Sequence, residues 1–197
     1  MVNLEIEELK NGVLKCFSNS KSLLSDADYL FEDNRFARAY SIYILCIEEV
    51  QKTFMLFRIL LEKESDKKNT KKENEYYSKF FSSHTLKIKA AAAQGGYYND
   101  FAEKHSLKKV KTSKEIRNEF DNPKQKDIFK QQGFYVDLVH KKFKEPGEMI
   151  NIEKCNKIQN EAKLSLSHLN GWQSMFFSNP NFFIRKYITD DFKILRK

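Results

Sequence analysis

Residues 36–61 read FARAYSIYILCIEEVQKTFMLFRILL. Apolar side chains fall on nearly every side of a helix drawn through this stretch, so it predicts a central buried helix over about 35–63. The few polar groups are then informative through their directions. At 100° per residue, Arg38, Ser41, Glu48, Glu49 and Lys52 point within about 100° of one another. A charged stripe on a buried helix must face a groove, a subunit interface or paired charges, because an unpaired buried charge is costly. Glu48 and Lys52 also form an ordinary i,i+4 pair.

The flanking segments supply the helices that would cover this one. Upstream, Leu4, Leu9, Val13, Phe17, Leu24, Ala27 and Phe31 recur at helical spacing, with a break expected near Ser18–Ser22. Asp33-Asn34 offers N-cap chemistry for the central helix. Downstream, EKESDKKNTKKENE (62–75) reads as a solvated loop or frayed end. A third helix is expected over about 73–94, with Tyr77, Phe80, Phe81, His84, Ile88 and Ala91 on one face and Gly95-Gly96 ending it. A fourth spans about 98–120 and stops at Asn122-Pro123. Residues 124–150 are a less regular excursion, with a β-like run from Phe134 to Val139 and a turn at Pro146-Gly147. A last helix covers about 151–177, and residues 181–197 form a basic, aromatic tail or short amphipathic helix. With 6 Gly and 3 Pro in 197 residues, a turn-rich all-β protein is excluded. The expectation is one all-α domain, an antiparallel helical bundle over 1–197.

Charge is concentrated. The net +8 comes almost wholly from residues 104–144, which hold 12 basic and 5 acidic side chains. Such a patch is the footprint expected for a polyanion such as RNA. Lys outnumbers Arg 29 to 6, which argues against bidentate base readout. No apolar run is long enough to cross a membrane. The acidic N-terminus MVNLEIEELKNG lacks a signal pattern, so a cytoplasmic location is expected. Cys16, Cys46 and Cys155 have no zinc-like spacing and read as reduced core thiols. His84 and Lys87 are i,i+3 neighbours, and histidine is the side chain best suited to proton transfer near neutral pH. His105, His140 and His168 have no partner pattern. Neither a metal site nor a Ser/His/Asp triad follows from spacing.

Three motifs, in order, carry a resemblance. ARAYSIYILCIEEVQK contains Glu-Glu-x-x-Lys as Glu48, Glu49 and Lys52. FFSSHTLKIKAA contains His-x-x-Lys as His84 and Lys87. KQQGFYVDL contains Gly133, Phe134, Tyr135, Val136 and Asp137. Together they resemble the abortive-infection V (AbiV) branch of HEPN domains. The resemblance implies an antiparallel helical bundle that dimerises. It implies an anti-phage effector that shuts down host translation when a phage-encoded activator protein triggers it. It also implies, for many relatives, metal-independent RNA cleavage without cofactors. The chain departs from the usual ribonuclease signature, Arg followed at a short interval by His. Its one Arg-Asn is Arg117-Asn118, and Asn122 stands where that His would fall. Asn cannot take a proton from a ribose hydroxyl.

On this resemblance His84 becomes the candidate base. Lys87 or Arg117, beside Asn118, would stabilise the developing charge, and Glu49 and Lys52 would hold the other groups in place. Arg38, Lys108, Lys109, Lys111, Lys114, Tyr135 and Asp137 are the candidate RNA- or partner-binding set. RNA or the ribosome is the expected target, and no metal, cofactor or membrane is expected. A non-catalytic module that blocks the translation machinery by occupancy, and a nucleotide- or partner-binding adaptor with no defence role of its own, stay open beside the ribonuclease.

Overall fold

A computed structural model describes residues 4–64, 70–104 and 111–178. Among these, eight helices and one two-stranded hairpin follow in the order α1 (Ile6–Glu32), α2 (Phe36–Glu64), α3 (Lys71–Ser82), α4 (His84–Lys104), α5 (Ser113–Asp121), α6 (Pro123–Gln132), β1 (Asp137–Val139), β2 (Lys142–Lys144), α7 (Pro146–Met149) and α8 (Ile152–Ser178). The fold is the expected all-α, HEPN-like bundle. The 181–197 tail lies outside the described residues.

α2 is the central helix, and α1, α3, α4, α6, α7 and α8 all pack on it. The all-round apolar pattern requires this: Tyr43, Ile44, Val50, Phe57, Leu60 and Leu61 are each almost completely buried. Each such side chain contributes about 1.5–3 kcal/mol on leaving water. Two apolar clusters line α2. One gathers Leu9, Val13, Phe57, Leu60, Tyr77, Phe80 and Leu169. The other gathers Ala27, Tyr43, Ile44, Ile47, Cys155, Ile158 and Ala162. Glu48 lies between them in sequence. The ends of α1, α2 and α8 are tied by polar contacts. Asp28 accepts hydrogen bonds from Tyr43 Oη (2.5 Å) and Gln159 Nε2 (2.7 Å) and pairs with Lys163 (3.2 Å). All three cysteines are free, and burial first pushes their thiols up, Cys46 and Cys155 to about 12.

Several boundaries differ from the expectation. α1 runs unbroken past Ser18–Ser22; Ser20 is buried with its hydroxyl donating to Phe17 O (2.7 Å). Asp33-Asn34 ends α1 rather than capping α2. Asn34 takes the left-handed conformation (φ 60°), Asn34 N–H donates to Phe31 O and Arg35 N–H to Leu30 O. This is the glycine-type C-cap that Asn tolerates. The expected helix over 73–94 is two helices. The chain turns extended at Ser83 (φ −97°, ψ 113°), which closes α3. Its hydroxyl accepts the Leu86 N–H (3.3 Å) and so caps α4. Gly95-Gly96 does not end α4, which continues to Lys104 while Ile116 of α5 packs over the pair. Packing here overrides a helix penalty of about 1 kcal/mol per glycine. Helix α5 begins at a capping box, Thr112 with Glu115, so the expected helix over 98–120 is also divided. Pro123 opens α6 instead of merely ending α5.

The excursion therefore contains a regular helix, α6, followed by a tight antiparallel hairpin. Asp137 pairs with Lys144, Leu138 with Phe143 and Val139 with Lys142. The two-residue turn holds both His140 and Lys141 at positive φ (51° and 65°). That is the twist such hairpins need, here built without glycine at roughly 1–2 kcal/mol per residue. No helix among the described residues is long and apolar enough to cross a membrane.

Candidate functional site

The polar stripe of α2 does not act as one unit. Ser41 and Glu48, seven residues apart, share a face and are both buried. They look toward α4 and α6. His84 is the first residue of α4 and brings Nδ1 to 2.6 Å from Glu48 Oε2. Lys87, one turn on, places Nζ 3.3 Å from the same oxygen. From α6, Lys130 Nζ donates to Glu48 Oε1 (2.8 Å) and lies 3.0 Å from His84 Nδ1. Asp127 Oδ1, one turn back, forms an ion pair with Lys130 Nζ at 2.7 Å, off the line of a hydrogen bond. Two carboxylates and two ammonium groups thus compensate each other where isolated charges would be very unfavourable.

The imidazole can be assigned a protonation pattern. Two lone pairs would repel at 2.6 Å, so a proton lies between Nδ1 and the carboxylate, and Nδ1–H donates to Glu48. Lys130 meanwhile donates to Glu48 and pairs with the Asp127 carboxylate, and its approach to Nδ1 is a shared-neighbour contact. The His84 side chain is half exposed while Glu48 is 3% exposed. Nε2 is consequently the ring nitrogen left for solvent or a ligand. A neutral ring presents a lone pair there, a charged ring a proton. Glu48, His84 and Asp127 could between them hold a cation, their ligand atoms lying within 4.8 Å of one another. The Lys130 ammonium stands within 3.0 Å of all three and serves as that cation.

The position of Lys130 is set by two further residues. Ser41 Oγ donates to the Lys130 carbonyl (2.6 Å), and Gly133 lies flat on α2. A Cβ at 133 would overlap Ser41 Oγ and the Ala37 carbonyl, so only glycine permits this approach. Asp137 then starts the hairpin: its carboxylate accepts Gln132 Nε2 (3.1 Å) and the Leu138 N–H (2.8 Å). The Gly-Phe-Tyr-Val-Asp element is therefore a clamp at each end, with Phe134, Tyr135 and Val136 displayed outward between them.

The remaining candidate residues lie elsewhere. Glu49 pairs with Lys52 (2.7 Å) and faces Cys16, whose thiol is pushed up to about 11 by burial and then by Glu49. Arg38 is exposed in the first turn of α2, and Lys114 is exposed on α5. Arg117 is 87% exposed beside Asp121 (3.7 Å), and Asn118 accepts from Asn122 (3.1 Å). Arg117 shares an open groove with Gly96 and Asp100. Gly96 is twelve residues beyond His84 on α4, about 18 Å along the axis. Arg117 and His84 do not converge within one chain. Lys111 is taken up by Glu119 and Glu161, both at 2.6 Å. Lys108 and Lys109 lie outside the described residues. Nothing in the sequence singles out Asp127 and Lys130, and Glu48 enters it only through the stripe, its i,i+4 spacing to Lys52 and the Glu-Glu-x-x-Lys motif. An i,i+3 Asp-Lys pair in a lysine-rich segment is too common a signal to select them.

The family model for HEPN_AbiV, described as AbiV, matches residues 8–167. The chain belongs to the AbiV family of HEPN domains. It is accordingly an abortive-infection HEPN protein. The match takes in α2, α4, α6 and the hairpin, and so every residue of the Glu48–His84–Lys87–Lys130 cluster in this AbiV-family chain. No curated protein and no solved structure matches it.

Proposed function

We propose that this AbiV-family chain is a cytoplasmic toxin, an endoribonuclease that needs no metal. It arrests translation when a phage protein triggers it. The observation that carries the reading is the 2.6 Å contact from Glu48 to His84 Nδ1, which orients the ring and leaves Nε2 outward. Nε2 takes the proton of a ribose 2′-hydroxyl. The 2′-oxygen attacks the adjacent phosphorus and the bond to O5′ breaks. A cyclic 2′,3′-phosphate remains, and O5′ leaves as a hydroxyl after taking a proton from solvent water. Glu48 stabilises the imidazolium formed on the way, as a buried orienting carboxylate does. Lys87 and Lys130 hold the Glu48 carboxylate in place, while Glu49 and Lys52 lie apart from this chemistry. Arg117 of α5 lies beside Gly96, too far along α4 from His84 to serve it within one chain, so its contribution would come from the second copy of a dimer.

A second reading is favoured by one observation: Asn122 stands where the ribonuclease signature has His, and its side chain donates to Asn118 Oδ1. On that reading the protein blocks the translation machinery by occupancy. The experiment compares total RNA from cells expressing wild type or His84→Ala together with the trigger. Discrete cleavage that vanishes in a folded His84→Ala protein supports the ribonuclease. Intact RNA with translation still arrested overturns it.

A further inference from the structure

The charges gathered around the His84 ring decide what its outer nitrogen can do. Glu48 of α2 lies 2.6 Å from Nδ1, and Lys87 of α4 lies 3.3 Å from the same carboxylate oxygen. From α6, Lys130 Nζ stands 3.0 Å from Nδ1, and Asp127 places an oxygen within 4.8 Å of a ring nitrogen. The next charges along these helices are turned away. Glu49 pairs with Lys52, and Lys126 with Glu161 and Glu119. Among the described residues, two carboxylates and two ammonium groups therefore leave the ring in a site of zero net charge.

That balance depends on Lys130. Glu48 favours a positive ring, and an ammonium beside Nδ1 disfavours one. Without Lys130, Glu48 and Asp127 would face the ring with Lys87 as the only cation, and the imidazole would hold its proton at neutral pH. A protonated Nε2 has no lone pair with which to take a proton from ribose. The Glu48 side chain is 3% exposed and that of Lys130 8%, so little water screens either charge on this side of the ring. The ammonium is also placed with care. Ser41 Oγ donates to the Lys130 carbonyl. Gly133 lets the end of α6 lie flat on α2, and Asp127, one turn back, draws Nζ to 2.7 Å.

We infer that Lys130 is a positioning residue whose ammonium keeps the His84 ring neutral at physiological pH, so that Nε2 is available as a base. Ser41 and Gly133 serve the same end by fixing where that ammonium stands. The inference rests on the reading of His84 as the base. It deepens that reading by naming the group that sets the protonation state of the ring.

The test follows the titration of the His84 ring by NMR in the full chain, labelled with carbon-13 at histidine Cε1. The signal missing from His84→Ala identifies the ring, and no RNA is needed. Lys130→Gln is expected to raise the titration midpoint by about one pH unit or more, and Lys130→Arg, which keeps the charge, to leave it close to wild type. Asp127→Asn removes a charge of the opposite sign and is expected to lower the midpoint. A purely structural role for Lys130 predicts neither the opposite signs nor the recovery in the arginine variant. In cells expressing the trigger, Lys130→Gln is expected to cut RNA cleavage about tenfold and Lys130→Arg to retain it. A midpoint that stays or falls in Lys130→Gln overturns the inference. Should that variant not fold, a midpoint that fails to fall in Asp127→Asn overturns it instead. The two proposals fail separately. Midpoints that move as expected while cellular RNA stays intact remove the ribonuclease and keep the hold of Lys130 on the ring. Cleavage in cells with a midpoint indifferent to Lys130 does the reverse.

Discussion

Helix α6 feeds two buried ion clusters from adjacent turns, and the clusters differ in one respect. Lys126 reaches Glu161 of α8 (2.8 Å) and Glu119 of α5 (3.2 Å), joined there by Lys111. Lys130 reaches Glu48 of α2 and Asp127. Each cluster balances two ammonium groups against two carboxylates. The first is closed: Lys111, Lys126, Glu119 and Glu161 spend all their charge on one another and tie α5, α6 and α8 together. The second holds the same kind of charge but opens through His84, a side chain with one nitrogen on the buried carboxylate and one outside. Compensated burial makes scaffolding, and adding one half-exposed titratable ring to it makes a candidate site.

Removing the central carboxylate of either cluster is the severest way to break this comparison. Glu48→Ala leaves Lys87 without a carboxylate and Lys130 with Asp127 alone, Glu161→Ala leaves Lys111 and Lys126 to share Glu119, and each should lower stability by about 3–5 kcal/mol. Urea titration checks this; a loss below about 1 kcal/mol at either site would show that the cluster relaxes into water. Gly133→Ala comes next. Its new Cβ collides with α2 and should destabilise by about 1–3 kcal/mol while displacing Lys130. Gly147→Ala, with nothing near its added carbon, is the matched control and should leave the melting temperature unchanged.

The closed cluster also predicts an acid limb. Burial pushes the Glu161 carboxyl up, but Lys126 and Lys111 more than offset this and hold it below its ordinary value. Its contribution is then complete above the unfolded carboxylate value of about 4.3 and is lost as pH falls through the lower folded-state value. Unfolding followed against pH should flatten in this range in Glu161→Gln. Lys126 shifts upward, its burial outweighed by Glu161 and Glu119, so its contribution fades only as strongly alkaline pH is reached. Among the residues of the two clusters, the smallest change in stability belongs to His84→Ala. The ring is half exposed and Glu48 keeps both lysines, so the loss should stay within about 1 kcal/mol. Toxicity should nonetheless disappear, a separation that thermal melts beside growth assays would reveal.

The way these residues could be read from sequence follows the same division. His84 and Lys87 are visible because a helical spacing joins them. Glu48 was visible only as one of two adjacent glutamates. Which of them meets His84 depends on a 100° rotation about α2 relative to helices far away in the chain. Ser83 looked like part of a helix because Phe80, Phe81, His84 and Ile88 continue the apolar spacing, yet its own hydroxyl caps the next helix. Gly95-Gly96 looked like a stop, and α5 packing over it kept the helix intact. Lys130 is one of 29 lysines, and only its approach to Glu48 sets it apart.

The all-α bundle, the central position of α2, the concentration of positive charge and the family motifs were determined by the sequence alone, because periodicity, charge and local motifs are properties of neighbouring residues. The choice of Glu48 over Glu49, the ammonium of Lys130 standing as the site's cation, and the outward Nε2 of His84 were decided only by the tertiary structure. Those depend on contacts between residues 36 to 82 positions apart, which are set by how α2, α4 and α6 pack and not by any local pattern.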